Sequence, residues 1–270
     1  RGAAWAEELG ATFEPDLDIL LARVDVDAVV VNTPTNLHGE VMTKAALAGK
    51  HIFTEKVMAL TLKECDDIAA AVKKTGVRFC ISFPHRIQPN LLAVKKVLED
   101  GLLGEPTLLR IRNAHDGAVA GWLPEHFYDP VACGGGAMMD LGAHPMYLSR
   151  WLLGAPVSVQ SAFGHVTGHA VEDNAVSVIR FESGAISIAE TSLVSPGSPF
   201  ILELYGTRGS VLVGGTEQSV RLFSRVAGHE TDGHVALDPK SFPDALPMPI
   251  RQWLETIRSG ENTIVFGLEE

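Results

Sequence analysis

The sequence is poor in cysteine and has no apolar run long enough to cross a membrane. Its 270 residues contain three cysteines, Cys65, Cys80 and Cys133, whose spacing is not that of a metal site. An odd number of scattered thiols argues against a disulfide-stapled extracellular domain and favours a reducing, cytoplasmic setting. A membrane-spanning helix needs about 18–20 consecutive apolar residues, which the sequence does not contain. We therefore expect no association with a membrane.

Positive charge is also scarce. Lysine and arginine together number 22 against 33 aspartates and glutamates, which gives a formal net charge of −11. The basic pairs Lys73-Lys74 and Lys95-Lys96 are isolated, so no basic cluster offsets this charge. Nucleic acids bind basic surfaces, and we therefore expect no nucleic-acid partner. The hydrophobic content of 46% and the charged content of 20% are ordinary for a globular enzyme.

Short strands and helices alternate over the first part of the sequence. Thr61 and Glu64 have the spacing of a capping box at the start of a helix. The run Ala28–Val31 is apolar throughout, which predicts a strand buried on both faces, as in a parallel sheet. Alternation with short connections is typical of a doubly wound α/β domain. The predicted strands are 27–33, 51–54 and 77–82, and the predicted helices are 17–22, 38–48 and 61–75.

The pattern changes after residue 83. Beyond Gly154, segments of mainly β character are separated by glycine-containing turns, which indicates hairpins in an open, largely antiparallel sheet. A loop at 116–133 is rich in glycine, proline and aromatic residues. The other elements predicted here are a helix at 87–100, strands at 107–115, 156–166, 174–182, 185–193, 200–206, 209–213 and 219–224, an irregular loop at 225–247 and a last helix at about 250–257.

The most distinctive stretch is Gly134–His144, which begins with three consecutive glycines. Glycine allows positive φ angles and close approach of other groups to the backbone. The sequence has a helical pattern from Ala137, so Asp140 and His144, four positions apart, are expected on one helix face. A carboxylate beside an imidazole can orient the ring and raise its basicity, which a proton-transfer site requires. Taken alone, the pair also fits a helix-end charge beside a buried structural histidine.

Two further polar segments follow predicted parallel strands. Asn32-Thr-Pro-Thr-Asn-Leu-His38 comes after the first strand, and Thr54-Glu-Lys-Val57 comes after the second. Ligands of open α/β sheets bind outside the carboxyl ends of the strands. Both segments are therefore expected to face one crevice, in which Lys56 is well placed for chemistry. A lysine at such a position, considered in isolation, is more often a surface charge.

Three segments, Asn32–His38, Glu55-Lys56 and Gly134–His144, follow one another along the chain. In this order they resemble motifs of the glucose–fructose oxidoreductase/inositol dehydrogenase (Gfo/Idh/MocA) superfamily. The resemblance implies an α/β protein with two domains, a partial NAD(P)-binding Rossmann domain at 1–82 and a substrate-binding and oligomerisation domain at 83–270. The last helix is expected to pack back on the first domain. The resemblance also implies an NAD(P)-dependent dehydrogenase or reductase, with NAD or NADP as cofactor, that acts on the CH–OH group of a sugar, polyol or related compound.

The resemblance also implies roles for individual residues. Lys56 matches the lysine of the family's Glu-Lys-Pro motif, and Asp140 and His144 match its GGG…DxGxH motif. His144 would accept the hydroxyl proton, Lys56 would anchor the hydroxyl and stabilise negative charge, and Asp140 would hold substrate and imidazole. No metal is implied. The residues implied at the cofactor are Asn32, Thr33, Pro34, His38, Glu55 and Lys56, and those implied at the substrate are Asn113, His115, Trp122, Asp140 and His144.

Two departures from the family pattern stand out. Val57 occupies the position of the motif proline, so the backbone after Lys56 is expected to be less constrained. A G-x-G-x-x-G sequence is absent, and Gly134-Gly-Gly is no substitute because it follows a loop. We therefore expect the family's first βαβ unit, with its pyrophosphate-binding turn, to lie before Arg1, and its closing helix beyond Glu270. The residue that separates NAD from NADP would lie in the same preceding segment.

Two other classes of function stay open at this point. A metal-dependent hydrolase or lyase could be built from carboxylate and imidazole ligands, although the ten histidines follow no motif such as HExxH. A non-catalytic NAD(P)-responsive sensor or pseudoenzyme is favoured by Val57 and by the missing glycine fingerprint. The candidate metal ligands are Asp140 and His144 with one of His115, His126 and His165.

The predicted antiparallel sheet carries apolar residues on both faces. One face can pack on the helices of its domain, whereas the other has enough apolar side chains to need a partner. We therefore expect a homo-oligomer, a dimer or tetramer, joined through the sheet between about Ala175 and Phe223. The alternating apolar residues are Val176, Val178, Ile186, Ile188, Leu202, Leu204, Val211 and Val213.

Overall fold

The computed structural model of the chain describes residues 2–215 and 217–269 and forms two compact units, one of residues 2–82 and 249–269 and one of residues 83–248. The helices are α1 (Gly2–Leu9), α2 (Leu17–Ala22), α3 (His38–Leu47), α4 (Leu62–Thr75), α5 (Pro89–Glu99), α6 (Pro130–Cys133), α7 (Ala137–Asp140), α8 (Ala143–Leu153) and α9 (Pro249–Ser259). The strands are β1 (Ala28–Val31), β2 (His51–Thr54), β3 (Phe79–Ile81), β4 (Pro106–Ala114), β5 (Pro156–Gly164), β6 (Asn174–Phe181), β7 (Ile186–Ser192), β8 (Ile201–Gly206), β9 (Gly209–Gly214), β10 (Ser219–Ser224) and β11 (Val235–Ala236).

The first unit, over its described residues, is built on a parallel sheet of three strands in the order β1-β2-β3. Helices α3 and α4 connect these strands and pack on each other. Helix α4 begins with the predicted capping box: the Thr61 hydroxyl accepts a hydrogen bond from Glu64 N–H (3.2 Å), and the Glu64 carboxylate accepts one from Thr61 N–H (2.9 Å). Gly76, with a φ of 72°, ends the helix. Local signals in the sequence therefore position these elements.

Strand β1 is less buried than its four apolar residues predict. Val31 is buried, but Val30 is 48% exposed. Among the described residues β1 pairs with β2 alone, so it lies at an edge of the sheet. Burial of both faces of a strand requires a covering layer on each side, which a run of apolar residues does not specify. The prediction of a strand buried on both faces was wrong.

Helix α9 and the residues after it complete the first unit. Trp253 donates a hydrogen bond from Nε1 to the carbonyl oxygen of Arg78 (3.2 Å), and its ring centroid lies 5.8 Å from that of Phe53 on β2. Phe266 is fully buried, and its carbonyl oxygen accepts a hydrogen bond from Ile81 N–H at 3.0 Å. These contacts tie the last part of the described chain to β2 and β3.

The second unit is built on a sheet whose strands, as far as the chain is described, run in the order β11-β10-β9-β8-β4-β7-β6-β5. Neighbouring strands are antiparallel apart from β4 and β7, which are parallel. The loops predicted at 116–133 and 225–247 contain short elements, α6 and β11 among them. The predicted fold class, a doubly wound parallel sheet followed by a large and mostly antiparallel sheet, is confirmed.

The two faces of the larger sheet differ in exposure. On β6, Ala175 and Ile179 are buried, whereas Val176 and Val178, which alternate with them, are 39% and 42% exposed. Ile186 on β7 is also exposed, and we refer to Val176, Val178 and Ile186 as the open face. The predicted apolar positions on β8 and β9 are buried: Leu202, Leu204, Val211 and Val213.

Within residues 2–215 and 217–269, no helix has the length and apolar character needed to cross a bilayer.

Candidate functional site

The glycine run passes a backbone segment that leaves little room for side chains. Gly134 has a φ of 74° and ends α6, in a conformation that favours glycine. At Gly136, a Cβ atom would overlap the carbonyl oxygen of Glu172. Gly135 is less constrained, since the nearest atom to its Cβ would be Cβ of Met139 at 3.2 Å. The run therefore lets the chain pass closely against the segment that leads into β6.

Glu172 holds the N-terminus of α7. Its carboxylate accepts hydrogen bonds from the N–H groups of Gly136 (2.9 Å) and Met138 (2.8 Å), and its carbonyl oxygen accepts one from Ala137 N–H (2.9 Å). A carboxylate here satisfies backbone donors that have no partner within the helix. Sequence reasoning missed Glu172, because the contact joins positions 34 and 36 residues apart and no local pattern encodes it.

Asp140 and His144 do not lie on one continuous helix. Helix α7 ends at Asp140, and α8 begins after a short turn. In the turn, Gly142 N–H donates to the carbonyl oxygen of Ala137, five residues back instead of four (2.9 Å). Pro145 has no N–H to offer to the carbonyl four residues before it. The prediction of one helix was wrong, and the spacing of four residues does not by itself make the two side chains neighbours.

His144 lies in the first turn of α8 and is 9% exposed. Its Nδ1 is 2.9 Å from the hydroxyl oxygen of Tyr147, three residues further along the helix. The same oxygen accepts a hydrogen bond from the backbone N–H of His85 (3.3 Å). The ring of Tyr147 packs on that of Phe83, with centroids 4.4 Å apart. The imidazole is therefore held by a hydroxyl group that is itself held in place.

The ring of His85 packs edge-on against His144, with centroids 4.7 Å apart, and stacks on Phe200 at 5.0 Å. Burial lowers the pKa of His85 to about 4, so its ring is neutral near pH 7. Its Nδ1 is buried and has no hydrogen-bond partner among the described residues. Sequence reasoning missed His85, because only the polar segments after β1 and β2 were considered and His85 follows β3.

Several predicted substrate residues lie around the turn between α7 and α8. Asn113 donates a hydrogen bond from Nδ2 to the carbonyl oxygen of Leu141 (3.3 Å). Burial lowers the pKa of His115, and the nearby charge of Asp140 opposes that shift. The ring of His115 lies 4.6 Å from that of Trp122. The structure thus links an amide, an imidazole, an indole and a carboxylate at one end of the second unit's sheet.

In the first unit, His38 joins the loops that follow β1 and β2. Its Nε2 lies 3.0 Å from the carbonyl oxygen of Thr33, and its Nδ1 lies 3.0 Å from that of Val57. The hydroxyl oxygen of Thr33 is buried and has no hydrogen-bond partner in the part of the chain that the structure describes. Buried hydroxyl groups are normally hydrogen-bonded, so this position fits a polar group of a ligand.

The other predicted cofactor residues lie on the same two loops. Asn32, Pro34 and Glu55 are exposed, and Lys56 is half-buried. The peptide bond between Lys56 and Val57 is cis. The lysine belongs to the first unit, whereas the aspartate and histidine of the glycine-rich stretch belong to the second. The catalytic roles predicted for these three residues stay predictions.

A metal centre is not favoured. Within residues 2–215 and 217–269, no three His, Cys, Asp or Glu side chains are arranged so that they could hold a metal ion. Two of the candidate ligands have other neighbours. The ring of His126 lies 4.6 Å from that of Phe127, and Nδ1 of His165 lies 3.2 Å from the carbonyl oxygen of Val171. The cysteines carry free thiols.

Two family models match the chain. One describes an oxidoreductase family with an NAD-binding Rossmann fold and matches residues 1–83. The other describes the GFO/IDH/MocA C-terminal domain and matches residues 91–212. The first match covers β1 to β3, and the second covers β4 to β8. Together the two matches cover the sheet of the first unit, five strands of the larger sheet and most of the chain's length.

Individual proteins show the same relationship. The chain is 29% identical to scyllo-inositol 2-dehydrogenase (NAD(+)) from Bacillus subtilis, over 100% of this chain and 79% of the relative. It is 28% identical to myo-inositol 2-dehydrogenase from Thermotoga maritima, over 92% of this chain and 74% of the relative. The crystal structure of an oxidoreductase domain protein from Kribbella flavida superposes with a TM-score of 0.86 and 25% identity, over 99% of this chain and 80% of that one.

The family matches, the relatives and the two sheets agree with one another. They confirm the predicted superfamily and its nicotinamide dinucleotide cofactor, and they give no support to the alternatives of a metal enzyme or a sensor. The chain belongs to the Gfo/Idh/MocA family of NAD-binding oxidoreductases.

Proposed function

We propose that the protein transfers a hydride between NAD(P) and the CH–OH carbon of a sugar, a polyol or a related hydroxyl compound. The two relatives described above are named as dehydrogenases of inositols, which are cyclic polyols. The side chains around the turn between α7 and α8 are of types that bind hydroxyl groups and the C–H faces of rings. These similarities favour a hydroxyl-rich substrate.

The loops after β1 and β2 fit part of a nicotinamide dinucleotide. They lie at the carboxyl ends of parallel strands, where open α/β sheets bind ligands. The hydroxyl of Thr33 is buried and has no hydrogen-bond partner among the described residues, and a polar group of the cofactor would supply that partner. His38 bridges Thr33 and Val57 and would hold both loops in place for that contact. When bound, the nicotinamide supplies the hydride acceptor for oxidation and the donor for reduction.

In the oxidation direction, His144 would accept the hydroxyl proton while the hydrogen on carbon leaves with its electron pair for the nicotinamide. The alcohol thereby loses one proton and one hydride and becomes a carbonyl compound. Lys56 would hold the hydroxyl oxygen and stabilise the negative charge that develops on it. Asp140 would hold the substrate beside His144. Reduction uses the same groups in reverse, with His144 as the proton donor.

His115 and Trp122 would contribute to substrate binding. Gly117 N–H donates to Nδ1 of His115 (3.0 Å), so the neutral ring carries its proton on Nε2 and offers a donor there. Trp122 is exposed and presents an aromatic surface next to this donor. Together with Asn113, these side chains match the alternating polar and apolar character of a sugar or polyol.

The observation that carries the proposal is the fixed, buried imidazole of His144 beside the glycine-rich turn of a family oxidoreductase. Steady-state rates with NAD⁺ and NADP⁺ on a panel of inositols, sugars and linear polyols test it. His144→Ala should lower kcat by about 10²–10⁴-fold, the usual contribution of a general base, with little change in cofactor Kd. His229→Ala, at an exposed histidine, is the control and should keep the wild-type rate. Near-wild-type turnover of His144→Ala would overturn the proposal.

We also propose that Lys56 and His144 act on the same substrate hydroxyl. Lys56→Ala should then lower turnover and weaken substrate binding, and its effect should be much smaller in a His144→Ala background. Lys63→Ala, which removes an exposed lysine paired with Asp67, is the matched control. Fully additive effects of Lys56→Ala and His144→Ala would contradict a shared hydroxyl.

We further propose that the open face joins copies of the chain into a homo-oligomer. Val176 and Val178 lie on one face of β6, and Val178 is opposite Ile188 and diagonal to Ile186 on β7. Exposed apolar side chains grouped on one face of a sheet usually mark an interface. Val178→Lys should convert the oligomer to monomers in multi-angle light scattering. Leu62→Lys, at an exposed leucine of α4, should leave the mass unchanged. A wild-type monomer at micromolar concentration would contradict this proposal.

A further inference from the structure

Helix α8 supplies His144 with a partner that the sequence analysis did not identify. Tyr147 follows His144 by three residues, which places both side chains on one face of the helix. Nδ1 of His144 and the hydroxyl oxygen of Tyr147 are 2.9 Å apart, and both side chains are buried. We propose that Tyr147 is a positioning residue that holds the His144 ring in the orientation required for proton transfer. This inference rests on the function proposed above for His144.

The Tyr147 side chain is itself constrained. Its ring packs on Phe83 with centroids 4.4 Å apart. Its hydroxyl oxygen accepts a hydrogen bond from the backbone N–H of His85 at 3.3 Å. The backbone of Tyr147 is fixed within α8. A hydroxyl that is held at the backbone, the ring and the oxygen can impose one orientation on the imidazole that it contacts.

A hydroxyl group also suits a histidine that changes its protonation state. The N–H of His85 is only a donor, so the Tyr147 oxygen uses one lone pair there and keeps a second lone pair and a hydrogen. Because Nδ1 of His144 faces Tyr147, the ring can take the substrate proton only on Nε2, and the neutral base must therefore carry its hydrogen on Nδ1. The second lone pair of the Tyr147 oxygen accepts this hydrogen, and the contact persists before and after Nε2 takes the substrate proton. A carboxylate at the same place could only accept and would favour the protonated ring.

The His85 ring adds a second, uncharged contact. It packs edge-on against the His144 imidazole with centroids 4.7 Å apart, and its own position is set by stacking on Phe200. Burial keeps the pKa of His85 at about 4, so this ring does not become charged when His144 is protonated near pH 7. The Tyr147 hydroxyl and the His85 ring thus limit rotation of the imidazole without adding charge beside it.

Tyr147→Phe tests the inference, because it removes the hydroxyl and keeps the ring against Phe83. We expect kcat to fall about tenfold, which corresponds to about 1.4 kcal/mol of barrier, with substrate KM and NAD⁺ Kd within about twofold of wild type. Tyr205→Phe is the matched control, since its hydroxyl lies 3.4 Å from Glu203 on another part of the sheet, and its kcat should not change. An unchanged kcat for Tyr147→Phe would overturn the inference.

A double variant separates positioning from an independent role. In a His144→Ala background, Tyr147→Phe should have no further effect on kcat, because a positioning residue acts only through the residue that it positions. A further tenfold loss in that background would contradict the inference. Phe83→Leu loosens the packing of the Tyr147 ring and keeps its hydroxyl. If Tyr147→Phe does not fold, Phe83→Leu takes its place and is compared in the wild-type and His144→Ala backgrounds. Wild-type turnover by His144→Ala alone would refute the proposed function and is a separate outcome.

Discussion

Replacement of Gly136 by alanine tests how the glycine run is held against the segment before β6. The new Cβ atom would overlap the carbonyl oxygen of Glu172 and lie 2.9 Å from its carbonyl carbon and 3.0 Å from Cγ2 of Val171. Two of these three atoms belong to the backbone, which cannot rotate away as a flexible side chain does. The start of α7 must therefore move relative to Glu172.

The size of the effect follows from the hydrogen bonds that this movement breaks. The Glu172 carboxylate accepts from Gly136 N–H at 2.9 Å and from Met138 N–H at 2.8 Å, and its carbonyl accepts from Ala137 N–H at 2.9 Å. A hydrogen bond to a charged group contributes about 1.5–3 kcal/mol and a neutral one about 1 kcal/mol. Because water can replace some of these hydrogen bonds, we expect the free energy of unfolding to fall by about 3 kcal/mol, which lowers Tm by about 6–12 °C.

Scanning calorimetry of Gly136→Ala and Gly135→Ala measures this effect with a control from the same run. At Gly135, the nearest atom to a new Cβ is the side-chain Cβ of Met139 at 3.2 Å, so a shift of a few tenths of an ångström is sufficient. We expect Gly135→Ala to cost about 1 kcal/mol or less. Equal melting temperatures for the two variants would refute the argument that the Glu172 backbone excludes a side chain at position 136.

Two further predictions concern pH. Burial opposes ionisation of Asp173, but hydrogen bonds from Val166 N–H and from the N–H and hydroxyl of Thr167 outweigh the effect of burial and lower the pKa of the carboxyl group. The ionised Asp173 therefore stabilises the fold above pH 3.8. This stabilisation is lost as the pH falls through the pKa of Asp173 in the folded protein. Urea unfolding should show Asp173→Asn to be less stable than wild type at pH 7, with little difference near pH 2.5, and an equal difference at both pH values would contradict this. The pKa of His85 falls from 6.5 to about 4 on folding, so its contribution is complete above pH 6.5 and is lost between pH 6.5 and 4, to a total of about 3 kcal/mol. His85→Phe should flatten that part of the stability profile, and an unchanged slope would exclude His85 as its source.

Features that depend on neighbours along the chain were predictable. The capping box of Thr61 and Glu64 needs only the residues of one helical turn, and it forms as predicted. The alternation of strands and helices was readable because each element is short and bounded by its own turn residues. The glycine run was also correctly associated with a positive φ angle and close backbone approach, which the structure places at Gly134 and Gly136.

Features that depend on distant residues were not predictable in the same way. The exposure of Val30 is decided by what lies next to β1, and not by the apolar run itself. Glu172 reaches the start of α7 from a position more than 30 residues away, so its role has no local pattern. Tyr147 is different: its spacing of three residues from His144 was readable, but a carboxylate partner was expected instead.

The return of α9 to the first unit has a consequence for the order of folding. Trp253 closes over the sheet through a hydrogen bond to Arg78, 175 positions earlier. At ordinary translation rates of about 5–20 residues per second, β3 leaves the ribosome on the order of ten seconds or more before this helix exists. During that time Phe53 and Ile81 lack the contacts that later cover them. We therefore expect residues 1–82, expressed without α9 and the residues after it, to expose these side chains and to aggregate.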